Sequence, residues 1–175
     1  MKPGSRTETF AAIRLYINSW RWQGVPFYIR AGKSLPVTSI EVVARLRIPP
    51  TAFVQRKTGS NYVRFRISPD TTFAMGLTIM DTDETGAGQP AELQASRHAG
   101  PNEIDAYERV LTDAMWGDRA LFAREDYVEE AWRIVDPILE EGALPAPGVY
   151  ASGTWGVATG PVTPPGGWVD PVVTP

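Results

Sequence analysis

Apolar and polar residues alternate through most of about the first hundred positions, and alternation of period two is the mark of a strand with one covered face. Ile13, Leu15 and Ile17 oppose Arg14, Tyr16 and Asn18. Val25, Phe27 and Ile29 oppose Tyr28 and Arg30, after a Trp-rich turn bracketed by Asn18-Ser19 and Gln23-Gly24. Ile40, Val42, Ala44, Leu46 and Ile48 interleave with Glu41, Val43, Arg45 and Arg47 until Pro49-Pro50 stops the strand. Val63, Phe65 and Ile67 alternate with Tyr62, Arg64 and Arg66, and Phe73, Met75, Leu77 and Ile79 repeat the pattern. A short strand around 93–95 is only weakly patterned.

The period then becomes helical. Ile104, Tyr107, Leu111, Ala114 and Met115 form a stripe that starts behind Pro101-Asn102 and stops at Gly117, a C-terminal cap. Val128, Ala131, Trp132, Val135, Ile138 and Leu139 form a second stripe. The acids Glu125, Asp126, Glu129 and Glu130 near its start suit the positive end of the helix dipole. Pro137 should kink this helix or end its regular hydrogen bonding near Arg133. Beyond Gly142 lies a Pro/Gly-rich stretch whose one charged residue is Asp170; it either drapes over the sheet or is disordered. Strands first and helices later predict an α+β fold, a large and mainly antiparallel β-sheet with helices packed on one face. The expected division is an α+β domain over residues 1–142 and an irregular tail over 143–175, on or beside the sheet.

Composition narrows the chemistry. Of 175 residues, 43% are hydrophobic and 21% charged, which suits a globular domain and excludes wholesale disorder. A formal charge of −3 argues against nucleic acid as partner, since phosphate binding needs a surplus of Lys and Arg on one face. No apolar run reaches the roughly 18 residues needed to span a bilayer, and the start of the chain lacks the apolar segment of a signal peptide, so a cytoplasmic location is expected. The absence of cysteine rules out disulfides and thiolate chemistry, and a single histidine nearly closes zinc chemistry.

Candidate sites from spacing alone are few. Gly32-Lys33-Ser34 resembles the end of a P-loop, but Phe27 stands where the motif needs its first glycine. Gly153, Gly156 and Gly160 have no strand before them or helix after them, and punctuate a loop. His98 reads as an exposed loop residue without a placeable carboxylate to orient it. Asp81, Asp83 and Glu84 lack the terminal glutamate of a calcium loop and read as a solvated turn. Arg45, Arg47, Arg64 and Arg66 share one polar sheet face if their strands are neighbours, ordinarily a solvated one. Trp20 and Trp22 flank a turn, where amphipathic rings often anchor interfaces.

Longer strings say more. Thr9-Phe10-Ala11-Ala12 and the run Trp20-Arg21-Trp22-Gln23-Gly24-Val25-Pro26-Phe27-Tyr28-Ile29-Arg30-Ala31-Gly32-Lys33-Ser34-Leu35-Pro36 resemble the C-terminal domain of bacterial-type glucose-6-phosphate dehydrogenases. So, in the same order, do Asp105-Ala106-Tyr107-Glu108-Arg109, Gly117-Asp118, Leu121-Phe122, Ala131-Trp132-Arg133 and the turn containing Tyr150, Gly153, Trp155 and Gly156. The resemblance implies a domain that supplies one wall of the active site and the contact of a homodimer. The family oxidises glucose 6-phosphate to 6-phosphogluconolactone with NADP or NAD. Its dinucleotide-binding domain, its R-I-D-H-Y-L-G-K substrate motif and its histidine base precede the part resembled here, and His98 matches neither catalytic position. NADP is therefore expected only through a separate or missing dinucleotide domain, none bound to this chain alone, and the chain alone is expected to be inactive.

Residue by residue, the resemblance makes Lys33 a contact to the sugar phosphate. Thr38 stands where a second cation is usual, and Ser68 where a glutamine commonly touches the sugar. Arg30 and Arg66 match two contacts to a second, structural NADP. Ser39, Val43 and Gly76 fall where further cations would be, and Trp155 replaces another arginine, so that structural site is expected to be lost. A different outcome also fits the substitutions: a standalone, non-catalytic antiparallel-sheet protein of the same descent, kept for assembly or ligand binding.

Overall fold

The computed structural model describes residues 5, 7–48, 60–80, 88–98, 100, 104–140, 143 and 146–172. The chain forms two compact units, one of Met1–Glu8 with Gly100–Gly148, the other of Thr9–Ala99 with Val149–Pro175.

The second unit holds all the strands found among the described residues. β1 (Phe10–Tyr16) and β2 (Pro26–Gly32) form an antiparallel hairpin. Between them is a single 3₁₀ turn, Trp20–Trp22. Its Trp22 ring meets Phe27 edge-on at 5.2 Å, while Trp20 is fully exposed. β3 (Ile40–Arg45), β4 (Tyr62–Ser68), β5 (Thr71–Met80) and β6 (Gly88–Arg97) form a separate four-stranded antiparallel sheet in chain order. β3 stops at Arg45, earlier than its alternation suggests, and Leu46 N–H then bonds the Asn61 carbonyl at 2.8 Å. β6 is ten residues long, well beyond the weak signal at 93–95. As the edge strand it tolerates Pro90, whose missing N–H would break an interior ladder.

Register sorts the side chains of the four-stranded sheet into two faces. One carries the rows Ala44–Val63–Met75–Leu93 and Val42–Phe65–Phe73–Ala95. The other carries Glu41–Arg66–Thr72–Ser96, Val43–Arg64–Ala74–Gln94 and Arg45–Tyr62–Gly76–Glu92. The apolar face is the open one: Val42, Phe65, Phe73 and Leu93 are between 42% and 66% exposed. The polar face is the covered one, with Ala74 at 0% and Thr72 at 5%. The charged side chains on this covered face neutralise one another. Arg66 donates twice to Glu41, at 3.0 and 3.1 Å, Arg64 donates to Glu92 at 2.5 Å, and the Tyr62 hydroxyl donates to the same carboxylate. The Tyr62 ring lies over Gly76, where even a Cβ would collide with it.

Residues 149–172 belong to this unit. Gly153, Gly156, Gly160, Gly166 and Gly167 take positive φ, which lets an irregular chain turn repeatedly without strain.

The first unit contains α1 (Ala106–Trp116) and α2 (Glu125–Leu139). Asp105 caps α1, its carboxylate accepting the Tyr107 N–H at 2.8 Å, and Gly117 ends it at φ +73, donating to the Ala114 carbonyl. α2 starts with Glu125 and Asp126 in its first turn and runs through Pro137 to Leu139; Glu140 N–H still reaches the Asp136 carbonyl. A proline this close to the C-terminus removes one helical bond without ending the helix. None of the described helices is long and apolar enough to cross a membrane.

Candidate functional site

Lys33 follows directly on β2, and its surroundings are built from three distant parts of the chain. Its N–H donates to the Thr9 carbonyl at 2.8 Å, just before β1. Its own carbonyl accepts the Tyr150 hydroxyl at 2.7 Å. The next residue, Ser34, takes φ +52, and its carbonyl accepts the Gly153 N–H at 2.8 Å. Beneath, the Phe10 ring packs against Tyr150 at 5.7 Å and fills the space beside Gly156, where a Cβ would clash. The Lys33 side chain is exposed, and its ammonium has no partner among the described residues. A fixed main chain thus carries a free cation, an arrangement suited to meeting an anion from solution.

The other cations differ. Arg30, one turn of the pleat back on β2, is only 9% exposed at its side chain and pairs with Asp170 at 2.5 Å. Its guanidinium lies 4.5 Å from the Trp155 ring centre and 4.9 Å from that of Trp168, held on both by cation–π attraction. Trp168 in turn donates its indole N–H to Thr159 Oγ1 at 2.9 Å. Arg66 is held by Glu41, whose side chain is 4% exposed and also lies 3.7 Å from Arg64. Arg45 donates to the carbonyls of Pro165 and, at 2.9 Å, Gly167. The row of arginines reads in sequence as a solvated face; in the fold, Arg45, Arg64 and Arg66 are all tied to internal acceptors. Arg47 lies past the end of β3.

Burial and the hydrogen bond to Glu92 act together on Tyr62. The bond to the carboxylate, first, and desolvation, second, raise its phenol above the ordinary 10.0.

His98, just after β6, does have a carboxylate: its Nδ1 lies 3.3 Å from Asp70 in the β4–β5 turn, and both side chains are largely exposed. No sequence pattern links these positions; only the antiparallel pairing of β5 with β6 brings them together. The Asp81, Asp83 and Glu84 cluster lies outside the described residues. Among the described residues no three or more His, Asp and Glu side chains converge as a metal site. The sequence marks Tyr150 within the family-like turn and Asp170 as the one charge of its stretch, but shows the contact of neither. The lone charge of Asp170 in a Trp-bearing, otherwise uncharged stretch was the available signal.

The fold defines a class: an antiparallel α+β module whose free lysine stands on a pinned strand end. Residues 1–161 match the family described as Glucose-6-phosphate dehydrogenase, C-terminal domain. The chain belongs to that family. Glucose-6-phosphate 1-dehydrogenases of Aggregatibacter actinomycetemcomitans and Treponema pallidum are each 40% identical to it, over 163 and 167 residues. Each match covers 88% of this chain and 32% of the relative, so the chain spans about a third of the length of the curated relatives it matches. The crystal structure of glucose-6-phosphate 1-dehydrogenase from Mycobacterium avium superposes with a TM-score of 0.84 at 36% identity, over 99% of this chain and 38% of that one. A glucose-6-phosphate dehydrogenase solved in complex with its substrate glucose-6-phosphate gives 0.71 at 26% identity, over 91% and 34%.

Proposed function

We propose that this chain is the substrate-side and dimerisation part of a cytoplasmic, NADP-dependent glucose-6-phosphate dehydrogenase, which oxidises glucose 6-phosphate to 6-phosphogluconolactone in the pentose phosphate pathway. The hydride carrier is held by a dinucleotide-binding domain outside these residues. The observation that carries the reading is the family match over residues 1–161 together with the uncompensated Lys33 ammonium on its fixed strand end. In this role Lys33 supplies a compact positive charge to the sugar phosphate, and the rest of the chain orients it.

Arg30 and Arg66 do not fit a structural dinucleotide here. Arg30 is enclosed by two indoles and a carboxylate, and Arg66 is neutralised by Glu41, so neither presents a spare charge to a phosphate. Both serve instead as internal struts.

The partner is a second copy of the chain, meeting it through the sheet. The open apolar face of β3–β6 supports this, with Val42, Phe65, Phe73 and Leu93 clustered on it. An interface there would bury about 1,000 Å² or more in total. The test of the catalytic reading is the pure 175-residue chain mixed with glucose 6-phosphate and NADP and followed at 340 nm. No NADPH is expected from it alone. Steady production would place the hydride carrier's site within these residues and overturn the division of labour.

A further inference from the structure

The contacts around Lys33 assign a role to Tyr150. Its hydroxyl stands 2.7 Å from the Lys33 carbonyl and 2.9 Å from the Thr9 carbonyl, so one phenol proton is shared between the end of β2 and the approach to β1. Three residues on, Gly153 N–H holds the Ser34 carbonyl at 2.8 Å. Between these anchors Ser34 sits at φ +52, a left-handed conformation that an L side chain keeps only under constraint.

Resting on the reading of Lys33 as the sugar-phosphate contact, we propose that Tyr150 is a positioning residue for it: the hydroxyl fixes the main chain beneath Lys33, so that the ammonium meets the substrate from a preset origin. A neutral phenol bonded to two carbonyls has no charge to offer an anion, so its effect passes through the lysine. The reason such a device matters is entropic. A lysine already gives up several rotors when it binds, and a wandering Cα would add to what must be ordered. The tyrosine arrives from the far side of the helical stretch in sequence, and thereby gives the tail-side turn a part in binding.

The experiment uses the 175-residue chain carrying ¹³C-labelled lysine. Its three lysines, Lys2, Lys33 and Lys57, give a simple spectrum in which Lys33→Ala identifies the Lys33 signal. Glucose 6-phosphate is titrated into the wild type and into Tyr150→Phe, which keeps the ring against Phe10 and removes only the hydroxyl. The dissociation constant read from the Lys33 signal is expected to weaken about fivefold in Tyr150→Phe, the order of the added main-chain freedom that binding would then have to remove. A merely structural role would lower the melting temperature and leave that constant alone; this result overturns the proposal while leaving the reading of Lys33 intact. A wild-type Lys33 signal that glucose 6-phosphate does not move overturns both. Should Tyr150→Phe fail to fold, Gly153→Ala loosens the neighbouring anchor: its methyl meets open space, but φ +78 disfavours any L side chain. Its dissociation constant is expected to weaken in the same direction, and an unchanged value counts against the proposal.

Discussion

At the scale of single residues, the decisive contrast is between Lys33 and Arg30, three positions apart on and after one strand. Lys33 keeps its charge unspent, whereas Arg30 is sandwiched by Trp155 and Trp168 and paired with Asp170. Asp170→Ala should therefore cost stability, about 2 kcal/mol for a hydrogen bond to a largely buried cation, measured as a shift of the urea midpoint at unchanged slope. An unchanged midpoint would mean that the indoles alone hold Arg30. Lys33→Ala should leave stability within about 0.5 kcal/mol, as for an exposed side chain without partners, yet remove the response to glucose 6-phosphate. Little of this contrast is legible in the sequence. The string around Lys33 marks a lysine worth attention, but nothing local to Arg30 shows that its partners lie at positions 155, 168 and 170.

Among the elements, the four-stranded sheet has its ion pairs on the covered face, and the Arg64–Glu92–Tyr62 cluster ties β4 to β6 across β5. Because the folded state raises the Tyr62 pKa above 10.0, this group favours folding while protonated in both states. Its contribution is complete below the unfolded value and is lost as pH rises through the folded one. The stability difference between wild type and Tyr62→Phe should accordingly stay constant from pH 7 to 9 and shrink above about pH 10. A difference that does not vary up to pH 11 would contradict the account. For α1, Asp105→Ala should cost about 1 kcal/mol by leaving the Tyr107 N–H uncapped, and denaturant unfolding checks it. Elements were the most readable level. β1 to β5 and both helices announce themselves by period, since apolar residues such as Phe65 and Leu111 recur at the spacing of one face whether or not that face is covered within the chain. β6 hides because Ala91, Leu93 and Ala95 carry too little bulk to mark a face, and because Pro90 and Gln94 read as loop. Pro137 reads as a kink or an end of regular hydrogen bonding, yet near a helix end it costs one bond while the helix runs on to Leu139.

At the level of the whole molecule, an apolar sheet face left open and a lysine without a carboxylate partner among the described residues are the features on which the proposed partner and ligand rest. The face predicts self-association: sedimentation at micromolar concentration should show a dimer, and Phe65→Glu or Phe73→Lys should return it to monomer with its strands intact. A monomeric wild type would remove the sheet from the interface. The family relationship was readable from ordered strings such as Arg30-Ala31-Gly32-Lys33-Ser34, and a tail on or beside the sheet was one expectation, but the individual turns of residues 149–172 were not legible because glycine turns carry no period. Central to these predictions is the proposed division of catalysis between this chain and a dinucleotide-binding domain. The most direct test pairs the chain with the part of the Aggregatibacter relative that this chain does not match and follows NADP reduction by glucose 6-phosphate at 340 nm. Neither component alone should produce NADPH and the stable pair should; NADPH from this chain by itself, or a stable pair without activity, would contradict the account.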